Sequence, residues 1–321
     1  MAHVSLRAVL VGALGASALS ANIAHAQEPL QVVTSFSILD DMVSTIGGDH
    51  VSVTSLVGPD GDAHAFSPKP ADAQSLADAD LIVVNGLQLE GWIDRLVDAS
   101  GYGGEVVVAS NGIDTRSFEG HEDDHDDHDD HDHATDGEEE HHHHGDVDPH
   151  AWQDLENGEQ YARNIRDALV KADPAHADAY RANAEHYIDE MEALDKEAKA
   201  RLSQIPASDR LIITSHDAFG YFADAYDLEL LSPVGINTLA EPSASDMGSL
   251  IQQIESSHAR ALFLENMTNP ALINQLHEET GIAIGGTLYA DALTAEGEGS
   301  TYLGMFQHNV DTLLDALEAD D

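Results

Sequence analysis

Runs of β-branched and aliphatic residues recur along the chain, separated by segments in which apolar residues return every three or four positions. In the first part these runs are LQVVTS (30–35), HVSVTSLV (50–57), DLIVVN (80–85) and EVVVAS (105–110), with helical patterns such as SILDDMVSTIGG and ADAQSLADA between them. The alternation resumes at RLIITS (210–215) and continues through LELLSP (228–233), RALFLE (260–265) and GIAIGG (281–286), and residues 302–317 read as a closing helix. Strands alternating with helices predict mostly parallel sheets covered on both faces. Between the two parts, Tyr180, Ala184, Tyr187, Met191, Leu194, Ala198 and Leu202 follow one another at spacings of four and three. That stripe predicts a single long helix of about 30 residues, ended by Pro206. The expected architecture is α/β with two lobes, each a mostly parallel sheet flanked by helices, linked by one long backbone helix. The expected divisions are an N-terminal lobe at 27–155, a helical linker at 156–207 and a C-terminal lobe at 208–321.

The first 26 residues stand apart. Arg7 is their only charged residue, an apolar run extends from Ala8 to about Ala21, and the triplet Ala24-His25-Ala26 has the small-x-small form of a cleavage site. We read residues 1–26 as a cleaved signal peptide, since the run falls short of the roughly 20 apolar residues that span a bilayer. With no cysteine in the chain, the expectation is an exported, periplasmic protein with neither a lipid anchor nor a disulfide.

The chain carries 13 basic and 60 acidic residues, a formal net charge of −47. This excludes nucleic acid as a partner, because phosphates require a basic face. Fifteen of the acids lie between Glu119 and Asp148, where there is no Lys or Arg. Within that stretch, HEDDHDDHDDHDHATDGEEEHHHH (121–144) consists of histidines, carboxylates and a few small residues. It has no means of burying itself, so a disordered loop over about 119–147 is expected. Its imidazoles, on His121, His125, His128, His131, His133, His141, His142, His143 and His144, are candidate weak metal ligands.

A specific site needs ligands held by a fold. In open parallel sheets ligands gather beyond the carboxyl ends of the strands. Four metal-competent residues occupy such places: His64 in GPDGDAHAFSPKP, His150 in DVDPHAWQD, His216 in LIITSHDAFGYF and Asp291 in GGTLYADAL. Singly, His216 or Asp291 reads equally well as a helix-start residue. Together, three imidazoles and one carboxylate complete a tetrahedral set for Zn²⁺, two from each part of the chain, and so place the ion in the cleft between lobes. His50, His176, His186, His258, His277 and His308 are read as surface residues.

The motifs HAFSPKPADAQSLADADLIVVNGLQLEGW, DPHAWQD, ADPAHADAYRANAEHY, SHDAFGYFADAYDL and LYADALT make the resemblance specific. The sequence resembles the periplasmic solute-binding proteins of ABC importers for zinc and manganese, the cluster A-I family with its ZnuA-like and AztC-like zinc members. The likeness spans nearly the whole chain after residue 26. It implies metal-ligating roles for His64, His150, His216 and Asp291, a stiff backbone helix with small lobe opening, and release to a membrane permease. Manganese-type relatives usually carry a glutamate at the third position, where this chain has His216, and some zinc-type relatives carry a disulfide that a chain without cysteine lacks.

The reading is therefore a monomeric zinc carrier and not an enzyme: four protein ligands leave no open position for an activated water, and no HExxH motif occurs. Its expected partners are the zinc ion and the importer permease, with a periplasmic zinc metallochaperone as a further candidate. The competing readings are a manganese-type binding protein, a stand-alone metal buffer centred on the histidine-acid tract, and a secreted zinc hydrolase.

Overall fold

A computed structural model describes residues 28–117, 147–235, 238–239, 242–257 and 259–318. The first sheet contains β1 (Leu30–Phe36), β2 (Val51–Val57), β3 (Leu81–Val84) and β4 (Val106–Val108), in the order β2-β1-β3-β4. All its pairs are parallel, with Leu30 opposite Val51, Val32 opposite Leu81 and Ile82 opposite Val106. The second contains β5 (Leu211–Ile213), β6 (Glu229–Leu231), β7 (Ala261–Glu265) and β8 (Ala283–Leu288), in the order β6-β5-β7-β8 and again parallel. The two orders are the same permutation, so the lobes repeat an architecture without repeating a sequence. Parallel strands covered on both faces need continuous apolar runs, and every residue of the LIVV strand β3 is buried.

The first sheet is flanked by α1 (Ser37–Gly47), α2 (Pro70–Ala77) and α3 (Ile93–Ser100). The second is flanked by α6 (Gly220–Tyr226), α7 (Ala244–Ser256), α8 (Ala271–Thr280) and α9 (Tyr302–Leu317). Between the sheets run α4 (Leu155–Ala172) and α5 (Ala177–Leu202), joined by a 3₁₀ turn at Pro174–His176. The striped helix is thus 26 residues long. The reason is local: the proline sits in the tight turn before the helix, and Asp173 binds the His176 Nδ1 and the Tyr180 hydroxyl at 2.6 and 2.8 Å across it.

Of the stripe residues, Tyr180, Ala184, Tyr187, Met191, Ala198 and Leu202 are buried, and Leu194 is partly so. They join a core that continues from the first lobe through α4 and α5 to the inner face of the second. Its aromatic spine includes Phe36 against Trp152, with ring centroids 5.0 Å apart, and Phe306 against Phe222 at 5.3 Å. A smaller cluster of Ile213, Met247, Leu250, Ile254, Leu262, Ile273 and Leu276 fills the outer face of the second sheet. The lobes are therefore welded on one side by α5 and α9 and meet on the other at the carboxyl ends of their strands. Among the described residues, no helix is long and apolar enough to cross a membrane.

Candidate metal centre

The carboxyl ends of both sheets point toward one another, and each leads into short loops carrying polar side chains to the midline. His64 follows β2. Asp62 shapes its loop, accepting the main-chain N–H groups of His64 and Ala65 at Oδ1 (2.8 and 3.1 Å), while the Trp92 indole donates to Ala63 O at 2.8 Å. His150 follows the pair Asp148-Pro149. His216 follows β5, and a parallel bridge to Val234 extends the sheet to it. Asp291 follows β8, where Ala290 O accepts the Trp152 indole N–H at 3.1 Å and the Gln153 amide at 2.7 Å, fixing one lobe's loop against the other.

The four side chains converge. His64 Nε2 lies 3.1 Å from His150 Nε2 and 3.2 Å from Asp291 Oδ2, His216 Nε2 lies 3.1 Å from Asp291 Oδ2, and His150 Nε2 lies 3.6 Å from Asp291 Oδ1. All four groups fall within 4.8 Å of one another, and among the described residues they form the one such cluster. His150 and Asp291 are fully buried, His216 is 1% exposed and His64 is 9% exposed, so His64 is the side through which solvent reaches the cluster.

The outer ring nitrogens show what the inner ones can do. His150 Nδ1 meets Asp148 Oδ1 at 2.8 Å, and His216 Nδ1 meets Glu265 Oε2 at 2.5 Å. A carboxylate can only accept, so each Nδ1 carries a proton, and in the neutral ring the Nε2 lone pair is left facing the cluster. Both carboxylates are themselves buried and held. Asp148 Oδ1 also accepts the His150 N–H at 3.0 Å, and Glu265 Oε1 accepts the N–H groups of Ser215 and His216 at 2.8 and 3.0 Å. Asp291 Oδ1 is buried without a hydrogen-bond partner, a costly arrangement unless a cation faces it.

Without a cation the cluster resolves its charges internally. Burial disfavours the His216 imidazolium, yet Glu265 and Asp291 outweigh it and push the His216 pKa well above its usual range. Burial likewise disfavours the Asp291 carboxylate, but His150 and His216 hold its pKa well below the usual value.

Asp148 and Glu265 are absent from the sequence-based set. Asp148 stands two residues before His150, a spacing from which a side chain can turn back onto its own loop, but Glu265 lies 49 residues from His216 and only the β5–β7 pairing brings them together. A third buried acid, Glu90, accepts the Ser35 hydroxyl at 2.5 Å and the Asn85 N–H at 2.7 Å, and Asn85 Nδ2 donates to Pro149 O at 3.0 Å, bracing the His150 loop. Burial pushes the Glu90 pKa up. Of the histidines read as surface residues, His186 and His277 are exposed. His50 and His176 are half-buried and stacked at 3.9 Å, and His308 is stacked on Tyr289 at 4.3 Å. His258 and the nine tract histidines His121, His125, His128, His131, His133, His141, His142, His143 and His144 lie outside the described residues.

Comparisons with known proteins give the chain's family and fold. The family model described as ZnuA, zinc-uptake complex component A periplasmic, matches residues 32–316. The chain is 34% identical over 291 residues to the manganese-binding lipoprotein MntA of Halalkalibacterium halodurans, covering 90% of this chain and 89% of that one. It is 31% identical over 312 residues to the manganese ABC transporter substrate-binding lipoprotein PsaA of Streptococcus anginosus, covering 95% and 94%. Among solved structures, the periplasmic zinc binding protein TroA of Treponema pallidum aligns with a TM-score of 0.79 at 28% identity, covering 91% of this chain and 99% of that one. The manganese-bound periplasmic metal binding protein of Candidatus Liberibacter asiaticus aligns with a TM-score of 0.75 at 29% identity, covering 90% and 99%.

These names correct one expectation. Residues 1–26 were read as the cleaved leader of a protein without a lipid anchor, whereas the similar proteins are named lipoproteins. Anchoring is a covalent modification that the length of an apolar run does not report, and residues 1–26 lie outside the described residues. The chain has no cysteine, so the relatives' names identify no attachment residue in it.

Proposed function

Starting from the ZnuA family of periplasmic metal-binding components of ABC importers, to which the chain belongs, we propose that it carries Zn²⁺ on His64, His150, His216 and Asp291 to a membrane permease. The observation that carries the reading is the convergence of three Nε2 atoms and one carboxylate in a buried space, with Nδ1 of two rings fixed by Asp148 and Glu265. A tetrahedral ion with bonds of about 2.0–2.1 Å has ligand-to-ligand edges of about 3.3–3.4 Å. The three short separations that share Asp291 Oδ2 or join two rings, 3.1 to 3.2 Å, come close to that figure, and all four donor groups lie within 4.8 Å of one another. Three neutral imidazoles and a single carboxylate favour zinc over oxygen-seeking ions.

Two ligands come from each lobe, so parting the lobes strips the ion of half its donors at once. That suits a carrier, which must hold tightly and release completely. Family membership separates it from a hydrolase. We assign the tract at 121–144 the role of an auxiliary, weak collector, because its chain leaves at Ser117 and returns at Val147, a paired bridge three residues from His150.

A second reading, manganese, has one structural observation in its favour. Both Asp291 oxygens face the cluster, Oδ2 toward His64 and His216 and the unpartnered Oδ1 toward His150, so the carboxylate is placed to donate twice. A five-donor shell richer in oxygen suits Mn²⁺ better than a four-donor one, and the relatives MntA and PsaA are named for manganese.

The deciding experiment is competitive titration of the wild type and His216→Ala with Zn²⁺ and Mn²⁺ against a strong chelator. The zinc reading expects one tight site that prefers Zn²⁺ and loses at least about a hundredfold affinity in the variant, one ligand being roughly a quarter of a binding energy of about 10–16 kcal/mol. Tighter Mn²⁺ binding would establish the second reading. Equal binding by the variant would dismiss His216 as a ligand. Deleting 121–144 should remove weak sites and spare the tight one.

A further inference from the structure

Arg116 is one of only 13 basic residues in a chain of net charge −47, and it stands where the two lobes touch beside the metal centre. Its guanidinium lies between two carboxylates from different lobes: Nη1 faces Asp148 Oδ2 at 3.4 Å, and Nε donates to Asp224 Oδ2, on α6, at 2.9 Å. Its main-chain N–H donates to the Tyr221 hydroxyl at 2.9 Å, and that hydroxyl donates to Asp148 O at 3.1 Å, so one tyrosine of α6 also holds both residues. The fit depends on Gly220. A Cβ there would overlap Arg116 Nη1 and stand 2.7 Å from Asp148 Oδ2, so the pair seats directly on a bare main chain of the opposite lobe.

Asp148 is the same fully buried carboxylate that holds His150 Nδ1. A buried carboxylate needs a compensating charge, and Arg116 is the cation that supplies it. Asp217, next to His216 and half-buried, adds a third carboxylate whose field is shared with Asp148 and Arg116. With the guanidinium removed, Asp148, Asp217 and Asp224 would repel one another across the lobe boundary, and Asp148 would lose one of the partners that fix its orientation.

We propose that Arg116 is a positioning residue that couples lobe closure to metal retention, by pinning Asp148, and through it His150, against α6 of the second lobe. The coupling runs through atoms in contact: α6 to Arg116, Arg116 to Asp148, Asp148 to His150, and His150 to the ion. It rests on the metal-carrying reading above. Opening the lobes removes Asp224 and Tyr221 from Arg116, frees the guanidinium and loosens the carboxylate behind His150, so the His150 ligand weakens as the cleft opens and not only after it.

The test uses Co²⁺ as the probe with the full chain, comparing wild type with Arg116→Gln, Arg116→Lys and Asp224→Asn. Stopped-flow transfer of Co²⁺ to a chelator gives the dissociation rate, mixing with free Co²⁺ gives the association rate, and the visible bands report ligand geometry. For Arg116→Gln the expectation is dissociation about tenfold faster, the low end for loss of an orienting group behind a metal ligand, with association within about twofold and altered Co²⁺ bands. Arg116→Lys should recover part of the rate and of the spectrum, and Asp224→Asn should speed dissociation by a smaller factor with bands like the wild type. Wild-type dissociation and bands in Arg116→Gln, even with a lowered Tm, would overturn the proposal, as would equal behaviour of the Lys and Gln variants. A wild type that takes up no Co²⁺ would instead defeat the metal-carrying reading itself.

Discussion

Replacing Glu265 by glutamine separates the charge of that side chain from its shape. In the native protein Oε1 accepts two main-chain N–H groups and Oε2 accepts the His216 Nδ1–H at 2.5 Å. Glutamine has the same outline but one acceptor oxygen. If that oxygen stays with the main chain, the amide NH₂ faces Nδ1, and His216 must move its proton to Nε2 to accept from it. The proton then occupies the lone pair that faces Asp291. If the amide is turned the other way, two buried N–H groups lose their acceptor. Loss of an orienting carboxylate behind a metal ligand costs about 10–100-fold in affinity, or about 1.4–2.7 kcal/mol.

The pH profile should move in a second, independent way. Burial alone disfavours the His216 imidazolium, and Glu265 is the larger of the charges that raise its pKa well above 6.5. In the wild type, metal must displace this proton, so affinity falls as pH drops through the raised pKa. Removing the Glu265 charge lowers that pKa. Chelator competition from about pH 5.5 to 8.5 should therefore show a plateau lower by about 10–100-fold, with its fall beginning at lower pH than in the wild type. An unchanged plateau, or a fall shifted to higher pH, would refute the tautomer argument.

Three further outcomes follow from the same geometry. In the metal-free protein, His216 contributes stability fully below 6.5 and loses it as pH rises through its raised pKa, while Asp291 contributes fully above 3.8 and loses it only below its depressed pKa. Differential scanning calorimetry should thus show a metal-induced rise in Tm that is small in mild acid and grows toward about pH 8, where the unliganded pair is weakest and proton competition has eased; a rise that shrinks with pH would contradict this. Asp291→Asn removes the one anionic ligand and a main partner of His216, and calorimetric titration should show affinity reduced at least about a hundredfold; retention of tight binding would dismiss Asp291. Phe306→Ala, outside the ligand set but fully buried against Phe222, Tyr226 and Tyr302, should cost about 3–5 kcal/mol in denaturant unfolding, and a loss below about 1 kcal/mol would mean that α9 does not weld the lobes.

Much of this molecule was legible in one dimension. The β-branched runs mark the eight strands of the described residues to within two or three residues at their ends, because parallel strands buried on both faces must be apolar throughout. The residues 302–317 form α9 as read, because a helix packed on one side carries its stripe in the sequence. The four clustered residues could be picked out because ligands in such sheets come from the loops after strands. By contrast, nothing in the sequence pairs Glu265 with His216, Arg116 with Asp224, or Asn85 with Pro149. A hydrogen bond depends on direction and distance across the fold, and residues 49, 108 and 64 positions apart become partners only when sheet order and lobe docking set those vectors. The sequence alone determined which elements form and which side chains are chemically able to hold a metal. The tertiary structure decided which nitrogen of each ring faces inward, which buried acids hold the rings, and how one arginine ties that arrangement to the meeting of the lobes.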